Sequence, residues 1–97
     1  MERISIGLVG AGWAGEMHAK AYERVYGITV DLNTICALGP EPEPFARRYG
    51  FRKWTEEFDD LITDPEIDVV DIASPPNLHK EMIIKALLPG KPWRSLL

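Results

Sequence analysis

Three glycines stand in the run Gly10-Ala11-Gly12-Trp13-Ala14-Gly15, spaced as G-x-G-x-x-G. Each position has a separate physical use. Gly10 allows a tight turn, Gly12 lacks the Cβ that would hold a phosphate away from the backbone, and Gly15 lets a helix pack closely on a strand. The bare pattern is weak evidence, but its flanks are those the chemistry needs. An apolar, β-branched run, Ile4 to Val9, precedes it, and a helical pattern from Trp13 to Tyr26 follows. The amides of Gly12, Trp13 and Ala14 would then lie at a helix N-terminus, where free N–H groups and the helix dipole favour an anion. The loop therefore predicts a seat for the pyrophosphate of a dinucleotide cofactor, NAD or NADP. Two alternatives are a glycine-rich turn without a ligand and the loop of an S-adenosylmethionine-dependent methyltransferase. The latter commonly lacks the third glycine spacing and holds no pyrophosphate.

A dinucleotide site of this kind usually adds an acid about 20 residues on, at the end of the second strand, to bind the ribose 2′-hydroxyl. Asp31 has roughly that separation but precedes the expected strand. The strand's end reads Ala37-Leu38-Gly39, and Glu41 is the first acid after it. No arginine adjoins that end to meet a 2′-phosphate, so NAD and NADP both stay open.

A second polar segment, Ser74-Pro75-Pro76-Asn77-Leu78-His79, follows the fourth strand-like run. In an open parallel sheet, ligands bind outside the carboxyl ends of the strands, which would place this segment beside the glycine loop. The prolines would form a stiff wall, and Asn77 and His79 could reach polar groups of the cofactor. Asn77 is equally an N-cap, a role asparagine favours strongly. His79 on a first helical turn, and His18 within the first helix, read more simply as surface, capping or packing side chains. Trp13 covers a cleft or joins the core.

The elements that must hold these residues alternate. Strands are expected at Ile4 to Val9, Leu32 to Leu38, Phe51 to Trp54 and Ile67 to Ala73. Helices are expected over Trp13 to Tyr26, around Phe45, Ala46 and Tyr49, around Phe58, Leu61 and Ile62, and after Asn77. Met17, Ala21 and Val25, with Ala14 and Tyr22, form the expected apolar face of the first helix. Ser5 and Gly7 would leave room for that helix. Gly27 and Gly50 serve as helix stops, and Thr55 as an N-cap. Parallel strands need helical crossovers, so this order implies an α/β fold: a Rossmann-like, doubly wound parallel sheet with helices on both faces. One domain over residues 1–91 and a divergent tail over 92–97 are expected.

Composition narrows the function classes. The chain has 97 residues, enough for one domain. Its formal charge of −4 argues against nucleic acid, which requires clustered lysine and arginine. Arg47-Arg48 with Arg52-Lys53 is interleaved with acids and reads as a solvated helix face. No apolar stretch approaches the roughly 20 residues of a membrane span, and no signal peptide is evident. The single cysteine, Cys36, cannot form an internal disulfide and points to the cytoplasm, as a small buried hydrophobe. No metal site is expected.

Ile4-Ser5-Ile6-Gly7-Leu8-Val9-Gly10-Ala11-Gly12-Trp13-Ala14-Gly15, with His18, resembles the start of the Gfo/Idh/MocA family of NAD(P)-dependent oxidoreductases. So does Asp68-Val69-Val70-Asp71-Ile72-Ala73-Ser74-Pro75-Pro76-Asn77-Leu78-His79. The likeness runs from about Ile4 to Lys91. It implies oxidation or reduction of hydroxyl and carbonyl groups of sugars, cyclitols and related compounds. It also implies that Ser74, Pro75 and Asn77 line the nicotinamide-ribose side of the cofactor, with Pro76 and His79 close by. The likeness stops after Gly90-Lys91. The family's Glu-Lys-Pro motif, whose lysine belongs to the active site, occurs nowhere in the chain, and the substrate-binding domain is missing. The expectation is therefore a truncated or frameshifted, incomplete domain with no catalytic residue of its own. It would bind the cofactor and meet a sugar or polyol substrate only in a full-length form. A non-catalytic dinucleotide-binding module is the alternative, and an interaction protein that lost its ligand a distant third. Homo-oligomer formation through an exposed sheet edge is also expected.

Overall fold

The computed structural model describes residues 2–38, 41–73 and 93–94. Strand β1 spans Glu2–Val9, helix α1 Trp13–Tyr22, β2 Ile28–Cys36, α2 Pro42–Tyr49, β3 Lys53–Thr55, α3 Asp59–Ile62, β4 Val69–Ile72 and β5 Trp93–Arg94. All pairings are parallel, in the order β3-β2-β1-β4-β5. The chain winds outward from β1 through β2 to β3, then returns across β1 to β4. The strand order thus reverses between β1 and β4, the point where ligands of doubly wound sheets bind.

Both faces of the sheet are covered, as the alternation implied. On one face Ala19 of α1 and Phe45 and Ala46 of α2 pack with Leu8, Ile35 and Phe51. On the other, Leu61 and Ile62 of α3 pack with Val9, Cys36, Ile67, Val70 and Ile72. Burial on both sides explains why the strands read as continuous apolar runs.

Strand β2 is longer than its sequence suggests because its alternation is broken. Ile6 pairs with Leu32 and Gly7 with Thr34, so Asn33 is an extra residue in a bulge. The bulge shifts the phase of the strand, and Leu32 and Ile35, three apart, serve the same core. Asn33 is fully buried. Its Nδ2 donates to Ser5 Oγ at 3.2 Å, and its Oδ1 accepts from Thr34 Oγ1 at 2.6 Å. Asp31 consequently lies inside β2, not before it.

Three further expectations are corrected. Helix α1 ends at Tyr22, and it turns Gly15, His18 and Ala19 inward. Met17 and Val25 are exposed instead. Gly15 must face β1, and residues 15, 18, 19 and 22 share its helical stripe, so the close contact sets the helix's rotation. Gly7 makes room for the opposite face: a Cβ there would meet Leu61 Cδ2 at 2.9 Å and Ile67 Cδ1 at 3.1 Å. Thr55 is not the N-cap of α3, which is Phe58. Thr55 Oγ1 instead accepts from the Glu57 amide at 3.0 Å and donates to Asp60, one turn earlier. Gly50, by contrast, ends α2 in the left-handed conformation, at φ 85°, as expected of a helix C-cap.

Candidate functional site: the glycine loop at the switch point

The loop leaves β1 at the point where β1, β2 and β4 end together. Gly10 adopts φ 110°, a conformation open to glycine, and its amide donates to Cys36 O at 2.8 Å. The Ala73 amide donates to Val9 O at 2.8 Å, so the chain departs β4 beside the same loop. Gly15 packs tightly against the loop backbone. A Cβ there would lie 2.0 Å from Gly10 O and 2.8 Å from Gly10 C, both backbone atoms. That contact brings the first turn of α1 down onto the end of β1.

Gly12 is different. A Cβ there would meet nothing within 4 Å, so internal packing does not require this glycine. It is the N-cap of α1, with φ −85° and ψ −160°, and no side chain caps the helix. Its carbonyl accepts the first helical bond, from the Glu16 amide at 3.0 Å. The amides of Trp13, Ala14 and Gly15 donate to no other described residue. Among the described residues these N–H groups are unpartnered and nothing stands over Gly12, the arrangement that receives an anion. Ala11 is half-buried against the core, Ala14 is half-buried, and Trp13 is exposed over 75% of its surface. Trp13 is thus not a core residue.

The loop region contains no ribose-binding acid at the end of β2. Asp31 lies five residues upstream of Cys36, toward the amino end of the sheet, where it pairs with Arg3 at 2.8 Å and with Arg52. Glu41 stands at the N-cap position of α2 without a side-chain cap hydrogen bond and is exposed. Cys36, at the carboxyl end of β2, is buried, and burial first, then Asp60 and Glu57, push its thiol up to about 12. It is an inert packing group at neutral pH.

Beneath α1 the structure contains a cluster that composition did not announce. Asp71 of β4 is 1% exposed and His18 is 7% exposed. His18 Nδ1 lies 2.9 Å from Asp71 Oδ2, and Tyr22 Oη donates to the same oxygen. Asp71 Oδ1 is buried without a hydrogen-bond partner among the described residues. An unpaired buried acceptor of this kind costs about 1–3 kcal/mol. The i, i+4 spacing of His18 and Tyr22 was a legible signal, but an acid inside an apolar strand gives no indication of its partner. Ser74, Pro75, Pro76, Asn77 and His79 lie outside the described residues.

Comparison with known proteins agrees with this geometry. The profile of the oxidoreductase family with an NAD-binding Rossmann fold, Gfo/Idh/MocA, matches residues 4–93. The chain belongs to this family. Levoglucosan dehydrogenase of Pseudarthrobacter phenanthrenivorans is 37% identical over 98 residues, covering 94% of this chain and 25% of that protein. The NAD(+)-dependent scyllo-inositol 2-dehydrogenase of Bacillus subtilis is 33% identical over 92% of this chain and 26% of its own length. Among solved structures, a levoglucosan dehydrogenase complex with NADH superposes with a TM-score of 0.90 at 34% identity, over 97% of this chain and 27% of that one. The scyllo-inositol dehydrogenase of Lactobacillus casei with bound NAD(H) and scyllo-inositol gives a TM-score of 0.84 at 31% identity. The chain thus spans about a quarter of the length of its relatives, and that quarter is the NAD-binding Rossmann domain. Among the described residues, no helix is long and apolar enough to cross a membrane.

Proposed function

We propose that this chain holds NAD or NADP by its pyrophosphate on the Gly10–Gly15 loop, as the nucleotide-binding part of an oxidoreductase acting on CH–OH groups of sugars, cyclitols or similar compounds. The observation that carries the proposal is the uncapped N-terminus of α1 above Gly12, with free amides and open space over it. Gly10, Ala11, Gly12, Trp13, Ala14 and Gly15 form the phosphate side of the site. Ser74, Pro75, Pro76, Asn77 and His79 line the nicotinamide-ribose side. The hydrogen bond from Ala73 to Val9 O supports this, because it starts that segment beside the loop. When bound, the cofactor supplies hydride transfer, while the protein's task is to seat and orient it.

Substrate walls and the acid–base group belong to the three quarters of the relatives that this chain does not span. A polyol or sugar substrate therefore engages a full-length form only, and a dinucleotide-binding module without turnover is the second reading for the chain by itself. The single buried thiol of Cys36 supports a cytoplasmic setting. Titration with NADH and NADPH, followed by tryptophan fluorescence, tests binding. Saturable quenching is expected, and no response at millimolar cofactor contradicts it. Turnover with a panel of sugars and cyclitols separates enzyme from module, and none is expected of the 97-residue chain.

A further inference from the structure

The cluster of His18, Tyr22 and Asp71 lies one to two turns from the amides that would hold the pyrophosphate. Asp71 is on β4, three residues before Ser74, while His18 and Tyr22 are on α1. The contact between Gly15 and Gly10 O fixes how closely α1 approaches β1, but a contact through a single glycine does not fix the helix's tilt. His18 and Tyr22 lie about 6 Å apart along the helix axis and converge on one carboxylate oxygen. Any tilt that lifts one turn of α1 lengthens one of these bonds.

The arrangement is an inefficient way to gain stability. A buried ion pair or polar cluster is often no better than apolar residues of similar volume, and among the described residues this one leaves Asp71 Oδ1 without a partner. What it does supply is direction: hydrogen bonds fix an angle, and apolar contacts do not.

We propose that Asp71, His18 and Tyr22 form a brace that aims the N-terminus of α1 at the cofactor pyrophosphate and locks it to the strand leading into Ser74, which makes them positioning residues for dinucleotide binding. This rests on the reading of the loop as a dinucleotide site. The brace acts on the pyrophosphate through the helix and leaves the adenosine moiety untouched.

The test compares NADH with adenosine, which lacks the pyrophosphate, on the intact chain. Asp71→Leu replaces the carboxylate by an apolar group of similar size and takes the acid from the buried His18 Nδ1, so a lower melting temperature is expected. Its NADH affinity should fall about tenfold or more, as when a supporting shell is lost, while adenosine affinity changes less than about twofold. Asp71→Asn retains an acceptor oxygen and should recover part of the NADH affinity. Tyr22→Phe, at a half-buried position, removes one strut and reads the same effect independently should Asp71→Leu fail to fold, with a loss of about threefold. Folded Asp71→Leu or Tyr22→Phe proteins that keep the wild-type ratio of NADH to adenosine affinity overturn the brace. A wild-type chain that binds no NADH overturns the dinucleotide reading itself, a separate result.

Discussion

The two ends of the sheet treat their polar groups in opposite ways. At the amino end, charges are paired among themselves. Asp31 meets Arg3 and Arg52, Asp68 Oδ2 accepts from the Ser5 amide at 2.9 Å, and Lys53 meets Asp64 at 3.0 Å. A hollow of about 380 Å³ there is lined by Arg3, Ser5, Asp31, Arg52, Glu66 and Asp68, yet its cations already face its acids. At the carboxyl end, α1 has no side-chain cap, and Gly12 faces open space. Among the described residues, polar groups at the amino end pair with one another while the first amides of α1 do not, and the proposed cofactor seat rests on that contrast. The contrast also explains the misleading acid: Asp31 has the right separation in sequence but stands in the strand's amino half, engaged by two arginines.

The contrast can be broken from either end. The largest effect belongs to Gly15→Val. Its side chain would run into the Gly10 backbone, which cannot yield, so α1 must lift from β1. A stability loss of about 4 kcal/mol or more is expected by urea denaturation, together with loss of NADH binding. Asp31→Ala should cost far less, about 0.5–1 kcal/mol, because Arg3 and Arg52 are more than half and half exposed, at 61% and 50%. Neither NADH affinity nor the preference between NADH and NADPH should change in that variant. A shift in preference would return Asp31 to the ribose.

The smallest effect at neutral pH concerns Cys36. Its thiol is raised in the folded state from an ordinary 9.0 to about 12. The folded protein therefore keeps the proton longer than the unfolded chain does. The resulting stability is fully present below about pH 9 and is lost as the pH rises through 9 to 12. Urea midpoints measured across that range should fall, and Cys36→Ala should flatten this part of the decline. Native Cys36 should also resist thiol reagents at pH 7 and react on unfolding.

The alternation of strands and helices, the glycine loop and its place at a helix start were legible because each is local: a few neighbouring residues carry the whole signal. What escaped was set by contacts across the sheet. The bulge at Asn33 broke the period of β2, so its first four residues read as loop. The rotation of α1 follows from Gly15 meeting Gly10, and the apolar stripe of Met17, Ala21 and Val25 pointed the other way. Asp71 read as one polar residue in an apolar strand, and only folding brings His18 and Tyr22, about fifty residues earlier, onto it. Trp93 and Arg94, placed in a divergent tail by the sequence, pair with Val70 and Asp71 as a short parallel strand, and the family match itself runs to residue 93, because strand pairing needs backbone more than side chains.

The central claim is that Gly12 is a glycine for the sake of a ligand, not of the fold. Gly12→Asp tests it most directly. The position has extended backbone dihedrals and free space, and aspartate is a favoured N-cap that would satisfy a free amide itself. The variant should melt at the same temperature or slightly higher, by a few tenths of a kcal/mol. Its NADH affinity should fall by about two orders of magnitude, since a carboxylate would occupy and repel the pyrophosphate's place. A Gly12→Asp protein that is folded and binds NADH as tightly as the wild type would contradict the account.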